Sequence, residues 1–190
     1  MDCIFVNQGF KLPSYKLLQP KYHFFIDPKL INGTWDIHWI DEILAMVPGI
    51  TFVMPAGWSN HPIIKPYVDR GVQILWFNGK YSHGVSGAAF QFCWELGYKR
   101  IYFAGYEQTA IAAYILNQST HFYGADPDED TYSPRFLATA LSMNARHLWA
   151  AIKSEEYAER IGVELINLSR GGIMNMFKRQ VFEDVFPEVK

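Results

Sequence analysis

The chain has 190 residues, which is enough for one domain with a substantial core and too few for two domains of ordinary size. Hydrophobic residues make up 49% and charged residues 19% of it, a balance that excludes a disordered chain. The net charge of −2 leaves no basic footprint for nucleic acid. The two cysteines, Cys3 and Cys93, lie in apolar contexts without metal-ligand spacing and indicate a reducing compartment. No apolar run approaches the ~20 residues of a transmembrane helix and no signal peptide is visible, so we expect a soluble cytoplasmic protein with at most peripheral membrane association.

Short apolar runs alternate with helical stretches along the whole chain. The predicted strands span 2–7, 22–26, 50–54, 72–77, 100–104 and 163–168. Apolar residues at helical spacing predict helices at 35–46, 61–70, 88–96, 109–116 and 135–161. This alternation predicts an α/β fold, a Rossmann-like doubly wound and mostly parallel sheet of about six strands with helices on both faces. We expect it to form a single domain over 1–190.

The stretch from 82 to 107 is where we expect the active site. It opens with a small-residue turn, SHGVSG at 82–87, continues as a helix and ends in a strand followed by Gly105, Tyr106 and Glu107. Ligands of doubly wound folds lie at the carboxyl ends of strands and against helix N-termini. The turn matches neither the phosphate-binding loop nor the GxGxxG fingerprint, and Ser82 could equally be only an N-cap.

Polar clusters follow three of the predicted strands. Asn7 with Gln8 follows the first, Asp27 with Pro28 follows the second, and the fifth ends at Gly105 to Glu107. Amide and carboxylate groups that meet at one rim would suit the ribose and base edge of a nucleotide. The alternative is that each of these residues only ends its strand and forms a turn.

His121 is the histidine that the sequence favours as a catalytic base. It lies in an irregular polar segment beside Thr120 and close to Tyr123, and a neutral imidazole can take a proton from a sugar hydroxyl. A purely structural role is the open alternative. His83 belongs to the turn that could face an anion. The remaining histidines lie in less suitable places, inside a strand, inside helices or at a helix start: His23, His38, His61 and His147.

An acidic run follows at 126–130. Asp126 and Asp128 match the DxD pattern with which many glycosyltransferases hold a divalent cation. Nothing places the run at the end of a suitable strand, and it lacks the glycine of a calcium-binding EF-hand loop. We expect a solvated loop and no metal site.

Several segments resemble bacterial lipooligosaccharide sialyltransferases. Residues 2–30 are similar to the stretch of that family that runs from a strand ending in Asn-Gln to a strand ending in Asn-Pro. SHGV at 82–85 is similar to its Thr-Ser-Gly-Val turn, LGYKRIY at 96–102 to its LGYKEIY, and STHFY at 119–123 to the segment with its catalytic histidine. The same framework occurs in the domain family named after the archaeal 6-hydroxymethylpterin diphosphokinase (MptE-like). Its members in surface-polysaccharide gene clusters often carry an acidic loop after HFYG, as residues 121–130 do.

The resemblance implies a glycosyltransferase-like enzyme of bacterial surface polysaccharide synthesis. The donor would be a nucleotide sugar such as CMP-sialic acid, the acceptor a glycan hydroxyl, and no metal or other cofactor is implied. His121 would be the general base of an inverting displacement. The expected nucleotide and donor contacts are Asn7, Gln8, Asp27, Ser82, His83, Gly84, Gly105, Glu107 and Tyr123.

This chain departs from the family at several points. Asp27 stands where the family has asparagine, and His83 replaces its serine. The paired tyrosines that hold the leaving phosphate are not clearly placed. The family's first strand and its Gly-x-Gly-Pro-Ser loop have no counterpart, so we expect a domain without that element, a truncated chain, or a site completed by a partner.

Two other functions stay open. One is an MptE-like diphosphokinase that transfers pyrophosphate from ATP to a pterin-like alcohol, with Mg²⁺ on Asp126, Asp128 and Asp27. The other is a non-catalytic nucleotide-binding module. The aromatic content of 16% suits stacking on bases and sugars, but it equally suits a tyrosine-rich core and an oligomer interface.

Overall fold

A computed structural model describes residues 1–79, 84–108, 112, 116 and 134–187, without the side chain of Phe136. The chain divides into two compact units, Met1–Lys80 and Tyr81–Lys190. The first unit contains a four-stranded sheet and the second a three-stranded sheet, and the strands in each are parallel. The predicted α/β class with parallel strands is therefore confirmed.

The sheet of the first unit is built from consecutive neighbouring strands. They are β1 (Ile4–Val6), β2 (Tyr22–Phe24), β3 (Thr51–Pro55) and β4 (Ile74–Phe77), in the order β1-β2-β3-β4. The connections contain helices α1 (Tyr15–Leu18), α2 (Trp39–Met46) and α3 (Lys65–Asp69), and 3₁₀ helices at Asn7–Lys11, Pro28–Leu30 and Ala56–Trp58. Parallel strands that are neighbours both in the sheet and along the chain are joined by crossover connections. Because such crossovers are right-handed, they all pass over the same face of the sheet and bring the helices to it.

The core of the first unit lies on the helix-covered face. Its largest wholly buried side chains are Tyr15, Phe25, Leu30, Ile40, Ile43, Phe52, Met54 and Ile64. Because strand side chains alternate between faces, the opposite face carries Ile4, Val6, Phe24, Val53, Leu75 and Phe77. The sheet is thus apolar on both faces, which explains why its strands are nearly continuous apolar runs in the sequence.

The second unit has a smaller parallel sheet with one long helix. Its strands are β5 (Arg100–Phe103), β6 (Glu164–Asn167) and β7 (Lys178–Arg179), in that order, and its helices are α4 (Gly84–Glu95), α5 (Pro134–Arg160) and α6 (Phe182–Val185). Helices α4 and α5 run in the same direction, because Gly84 lies beside His147 and the ring of Trp94 lies 5.1 Å from that of Tyr157. The part of α5 that precedes His147 therefore extends roughly 20 Å past the start of α4.

The elements follow the sequence with a few differences. All six predicted strands occur as β1 to β6, while β7 was not predicted, and the predicted helix at 135–161 is α5. Helix α2 begins four residues later than expected, since the carboxylate of Asp36 accepts the N–H of His38 at 2.9 Å and holds a turn there. The helix predicted at 61–70 is shorter, because 61–64 form turns before α3. The helix predicted at 109–116 lies outside the described residues except for positions 112 and 116. Within the described part of the chain, no helix is long and apolar enough to cross a membrane.

Candidate functional site

Asn7 and Asp27 lie at the same edge of the first sheet. Val6 pairs with Phe24 in the parallel register of β1 and β2, and each of the two polar residues follows its strand. The carboxyl ends of neighbouring parallel strands meet at one edge, so the two side chains belong to one strand-end rim. The sequence predicts three polar clusters at one rim, and the third, Gly105 to Glu107, follows β5 of the other sheet.

Asn7 has a backbone conformation that is rare for a residue with a side chain. Its φ is 47°, in the left-handed region, which asparagine enters more readily than most residues with a Cβ but which still costs more than for glycine. Its carbonyl oxygen accepts a hydrogen bond from Nε2 of His23 at 2.8 Å. Its side-chain Oδ1 is buried and has no hydrogen-bond partner among the described residues. The edge therefore carries a strained residue with an unsatisfied acceptor.

His23 is the residue that holds Asn7 in place. A carbonyl oxygen only accepts, so Nε2 carries the proton, and Nδ1 accepts the hydroxyl proton of Tyr15 at 2.9 Å. The ring is wholly buried, with the ring of Phe25 at 4.6 Å. Burial lowers the pKa of His23 to about 3, so the imidazole stays neutral. His23 is a structural histidine that fixes the end of β1.

Gln8 and Asp27, two of the predicted donor contacts, have partners within the chain. Gln8 is buried and accepts a hydrogen bond from Nζ of Lys11. Oδ1 of Asp27 accepts the N–H of Lys29 at 2.9 Å and so caps the 3₁₀ helix Pro28–Leu30. Asp27 thus forms the turn that the sequence leaves open as the alternative, and the binding roles of both residues stay predictions.

The second sheet has its own polar edge, where β5 and β6 end. Phe103 pairs with Asn167 at the ends of these strands. Beyond them, the N–H of Gly105 donates to Oγ of Ser169 at 3.2 Å, and the N–H of Ser169 donates to Oδ1 of Asn167 at 2.9 Å. Asn167 is wholly buried, and its Nδ2 has no partner among the described residues. Asn167 thus holds Ser169 in place, and the hydroxyl of Ser169 holds the turn that follows β5.

Arg179 fixes the loop that follows β6. Its guanidinium donates to the carbonyl oxygens of Ser169 at 2.9 Å, Gly171 at 3.0 Å and Gly172 at 3.2 Å, and to Oδ1 of Asn175 at 3.2 Å. A planar group with several fixed donors holds such a loop in one shape. The loop is thereby tied to β7.

The same loop packs tightly against Glu107. The N–H of Ile173 donates to the carbonyl oxygen of Glu107 at 3.0 Å. Gly172 has a φ of 93°, and a Cβ on it would lie 2.5 Å from Cα of Glu107 and press on its carbonyl oxygen. Only glycine fits there without displacing the backbone. The backbone of Glu107 is thus held by contacts that a sequence pattern does not reveal.

His147 is brought to this second edge by α5. Its Nδ1 lies 3.1 Å from Oε1 of Gln108, an acceptor, so Nδ1 carries the proton. Its carbonyl oxygen accepts the hydroxyl of Tyr106 at 3.3 Å, and burial raises the pKa of that phenol to about 12. Nε2 faces Gly84, whose Cβ, if present, would lie 3.2 Å away. A histidine oriented by an amide thus lies at the start of α4.

The sequence analysis missed three residues of this edge. Asn167 is the last residue of β6 and Ser169 follows it, so a search for polar residues at strand ends, as applied to Asn7 and Gln8, would have found them. His147 looks unsuitable from the sequence because it lies inside a helix. Its position beside Gly84 depends on helix packing, for which the sequence carries no direct signal.

Some predicted site residues lie outside the described part of the chain. They are Ser82, His83, His121 and Tyr123, together with Asp126 and Asp128 of the acidic run. Of the predicted turn before α4, Gly84 is described, with a φ of 85°. Within the described ranges, no group of three or more histidine, cysteine, aspartate or glutamate side chains could hold a metal ion.

No protein-family model, curated protein or solved structure matches this chain. The resemblance to sialyltransferases and MptE-like domains therefore stays a prediction. Each unit thus carries its own polar strand-end edge, with Asn7 at the edge of the first unit and His147 beside the edge of the second.

Proposed function

We propose that this chain binds a nucleotide sugar at the carboxyl ends of its parallel strands and transfers the sugar to a glycan hydroxyl. The observation that carries the proposal is Asn7, a strained residue with a buried, unsatisfied acceptor at such an edge. Strained backbone persists where surrounding structure holds it, and it concentrates at ligand sites. An amide oxygen there suits the exocyclic amino group of a base or a ribose hydroxyl. The fold that goes with this proposal is the Rossmann-like doubly wound sheet that the sequence predicts.

The transfer needs one proton acceptor. The base takes the proton of the acceptor hydroxyl, the oxygen forms a bond to the anomeric carbon, and the nucleotide leaves with the electrons of the broken bond, which inverts the anomeric centre. The resemblance assigns this role to His121. His147 is the second candidate, because Gln108 orients its ring as a hydrogen-bonding partner orients a catalytic histidine.

A thermal-shift titration with CMP, CDP, UDP, GDP and ATP, each with and without Mg²⁺, tests the nucleotide part of the proposal. A ligand that binds only the folded state raises the melting temperature, by an amount set by its concentration relative to Kd. We expect stabilisation by CMP without Mg²⁺. Stabilisation by ATP only with Mg²⁺ would favour a diphosphokinase with Asp126, Asp128 and Asp27 as ligands. No shift with any nucleotide would contradict the proposal for this chain.

Substitution of the two histidines tests the transferase part. We expect His121→Ala to abolish transfer from the nucleotide sugar that CMP binding points to, with binding of the nucleotide retained. General bases contribute roughly 10²–10⁴-fold to the rate. If His147→Ala has that effect and His121→Ala does not, the base is His147. If both variants keep the wild-type rate, the assignment of a histidine base is wrong.

A further inference from the structure

The solvent side of α5 is apolar over half of the helix. Residues at helical spacing form one stripe there, defined as Ala138, Leu141, Ser142, Ala145, Trp149 and Ile152. Leu141 is 48% exposed and Trp149 is 66% exposed. The opposite side of the helix carries the buried residues Ala140, Asn144, Ala151 and Ala158. An exposed tryptophan in line with an exposed leucine is a feature of interaction surfaces.

Charge is distributed unevenly along the same helix. From 134 to 154 the chain has no aspartate or glutamate, and it carries Arg135, Arg146 and Lys153. The last part contains Glu155, Glu156 and Glu159, followed by Arg160. The N-terminal half of α5 is therefore basic, and the C-terminal half carries all of its acidic residues.

We propose that the α5 stripe pairs with the α5 stripe of a second copy of this chain, antiparallel, about a two-fold axis at Ala145. Helix residues equally far from the axis then meet, so Leu141 of one copy packs against Trp149 of the other. Ala138 meets Ile152 in the same way. The small side chain of Ala145 lies where the two helices cross and allows close approach of their backbones.

The charge distribution favours a second copy as the partner. In the antiparallel arrangement, exposed Arg135 of each copy lies near exposed Glu156 of the other, at the end of the stripe. A two-fold axis forms each such contact twice, so one helix provides both complementary surfaces. A parallel pairing would instead place Arg135 of one copy beside Arg135 of the other, and the glutamates of one copy beside the same glutamates of the other. Like charges that face each other are unfavourable.

The size of the stripe predicts a weak dimer. From Ala138 to Ile152 the helix rises roughly 21 Å, and one helix pair lies at the low end of the ~1,200–2,000 Å² that stable interfaces bury. We therefore expect a monomer–dimer equilibrium at micromolar concentrations.

Sedimentation equilibrium over about three decades of concentration around the micromolar range tests the proposal. We expect Trp149→Glu to raise the dimer dissociation constant by at least about thirtyfold, because a buried aromatic anchor is replaced by a charge. Leu141→Glu should act in the same direction. Leu17→Glu is the matched control, because Leu17 is 80% exposed on α1 and lies outside the stripe, and it should leave the constant within about twofold. A wild-type chain that stays monomeric throughout, or a dimer that neither stripe variant weakens, would overturn the proposal.

Cysteine cross-linking tests the orientation. In a Cys3→Ser background, where Cys93 stays buried, Ala145→Cys should form a disulfide-linked dimer on mild oxidation, because a residue on the axis meets its own copy. Thr139→Cys is the control on the same helix. The two copies of that residue would lie roughly 18 Å apart, well beyond the ~7 Å that a disulfide bridges. Efficient linkage through position 139 and none through 145 would exclude the antiparallel arrangement.

Discussion

Replacement of His23 by glutamine should change how the stability of the protein depends on pH. In the folded protein, burial holds the pKa of His23 at about 3, whereas its value in the unfolded chain is 6.5. Above pH 6.5 both states are neutral and the residue contributes no pH dependence. As pH falls below 6.5, the unfolded chain binds a proton that the folded protein does not bind, so the free energy of unfolding decreases. The loss approaches about 1.4 kcal/mol per pH unit below pH 6.5, amounts to roughly 2.7 kcal/mol between pH 7.5 and 4.5, and levels off near pH 3.

Urea unfolding at a series of pH values between about 7.5 and about 4.5 measures this loss. Glutamine can replace the hydrogen bond to Asn7 but does not titrate, so the difference in unfolding free energy between wild type and His23→Gln should shrink as the pH falls. His38→Gln is the matched control, because it makes the same replacement at an exposed histidine. Equal slopes for wild type and His23→Gln would refute the buried, neutral state of His23.

Two further substitutions test the packing around the two edges. Gly172→Ala should lower the free energy of unfolding by at least about 2 kcal/mol, since Gly172 has a φ of 93° and the added Cβ meets the backbone of Glu107. Gly171→Ala is the control and should cost much less, because a Cβ at Gly171 meets no atom within 4 Å. Equal melting temperatures for the two alanine variants would show that the loop does not press on Glu107. Tyr15→Phe leaves Nδ1 of His23 buried without a donor and should cost about 1–3 kcal/mol in chemical unfolding. A neutral effect would mean that the Tyr15 hydroxyl does not hold the ring.

The sequence predicts the strands well because the sheets bury them. The runs that become β1 to β4 are apolar at nearly every position, and polar residues such as Asn7 and Asp27 follow the ends of the first two. Strand β7 escapes prediction because Lys178 and Arg179 are both exposed and carry no apolar signal. Strand order and register also stay hidden, since they depend on how the connecting helices pack on the sheet and not on any single run.

The candidate site is predictable only in part, for a related reason. Asn7 stands out in the sequence as a polar residue at a strand end. Its left-handed backbone depends on a hydrogen bond from His23, which is distant along the chain and looks like an ordinary strand residue. His147 depends in the same way on the packing of α5 against the start of α4. Contacts between elements distant in sequence fix both residues, and local patterns do not encode such contacts.

Calorimetric titration of CMP into wild type, Asn7→Gly and Gln19→Gly tests the central claim most directly. Glycine accepts the left-handed backbone of Asn7 and removes only the side-chain amide, so the fold should be retained. Gln19 has a similar φ of 44° but lies exposed at the end of α1, which makes Gln19→Gly the matched control for the backbone change. The account predicts that Asn7→Gly weakens CMP binding about tenfold, the value of one hydrogen bond, while Gln19→Gly binds like wild type. Equal affinity of all three proteins, or no CMP binding by wild type, would contradict a nucleotide site at Asn7.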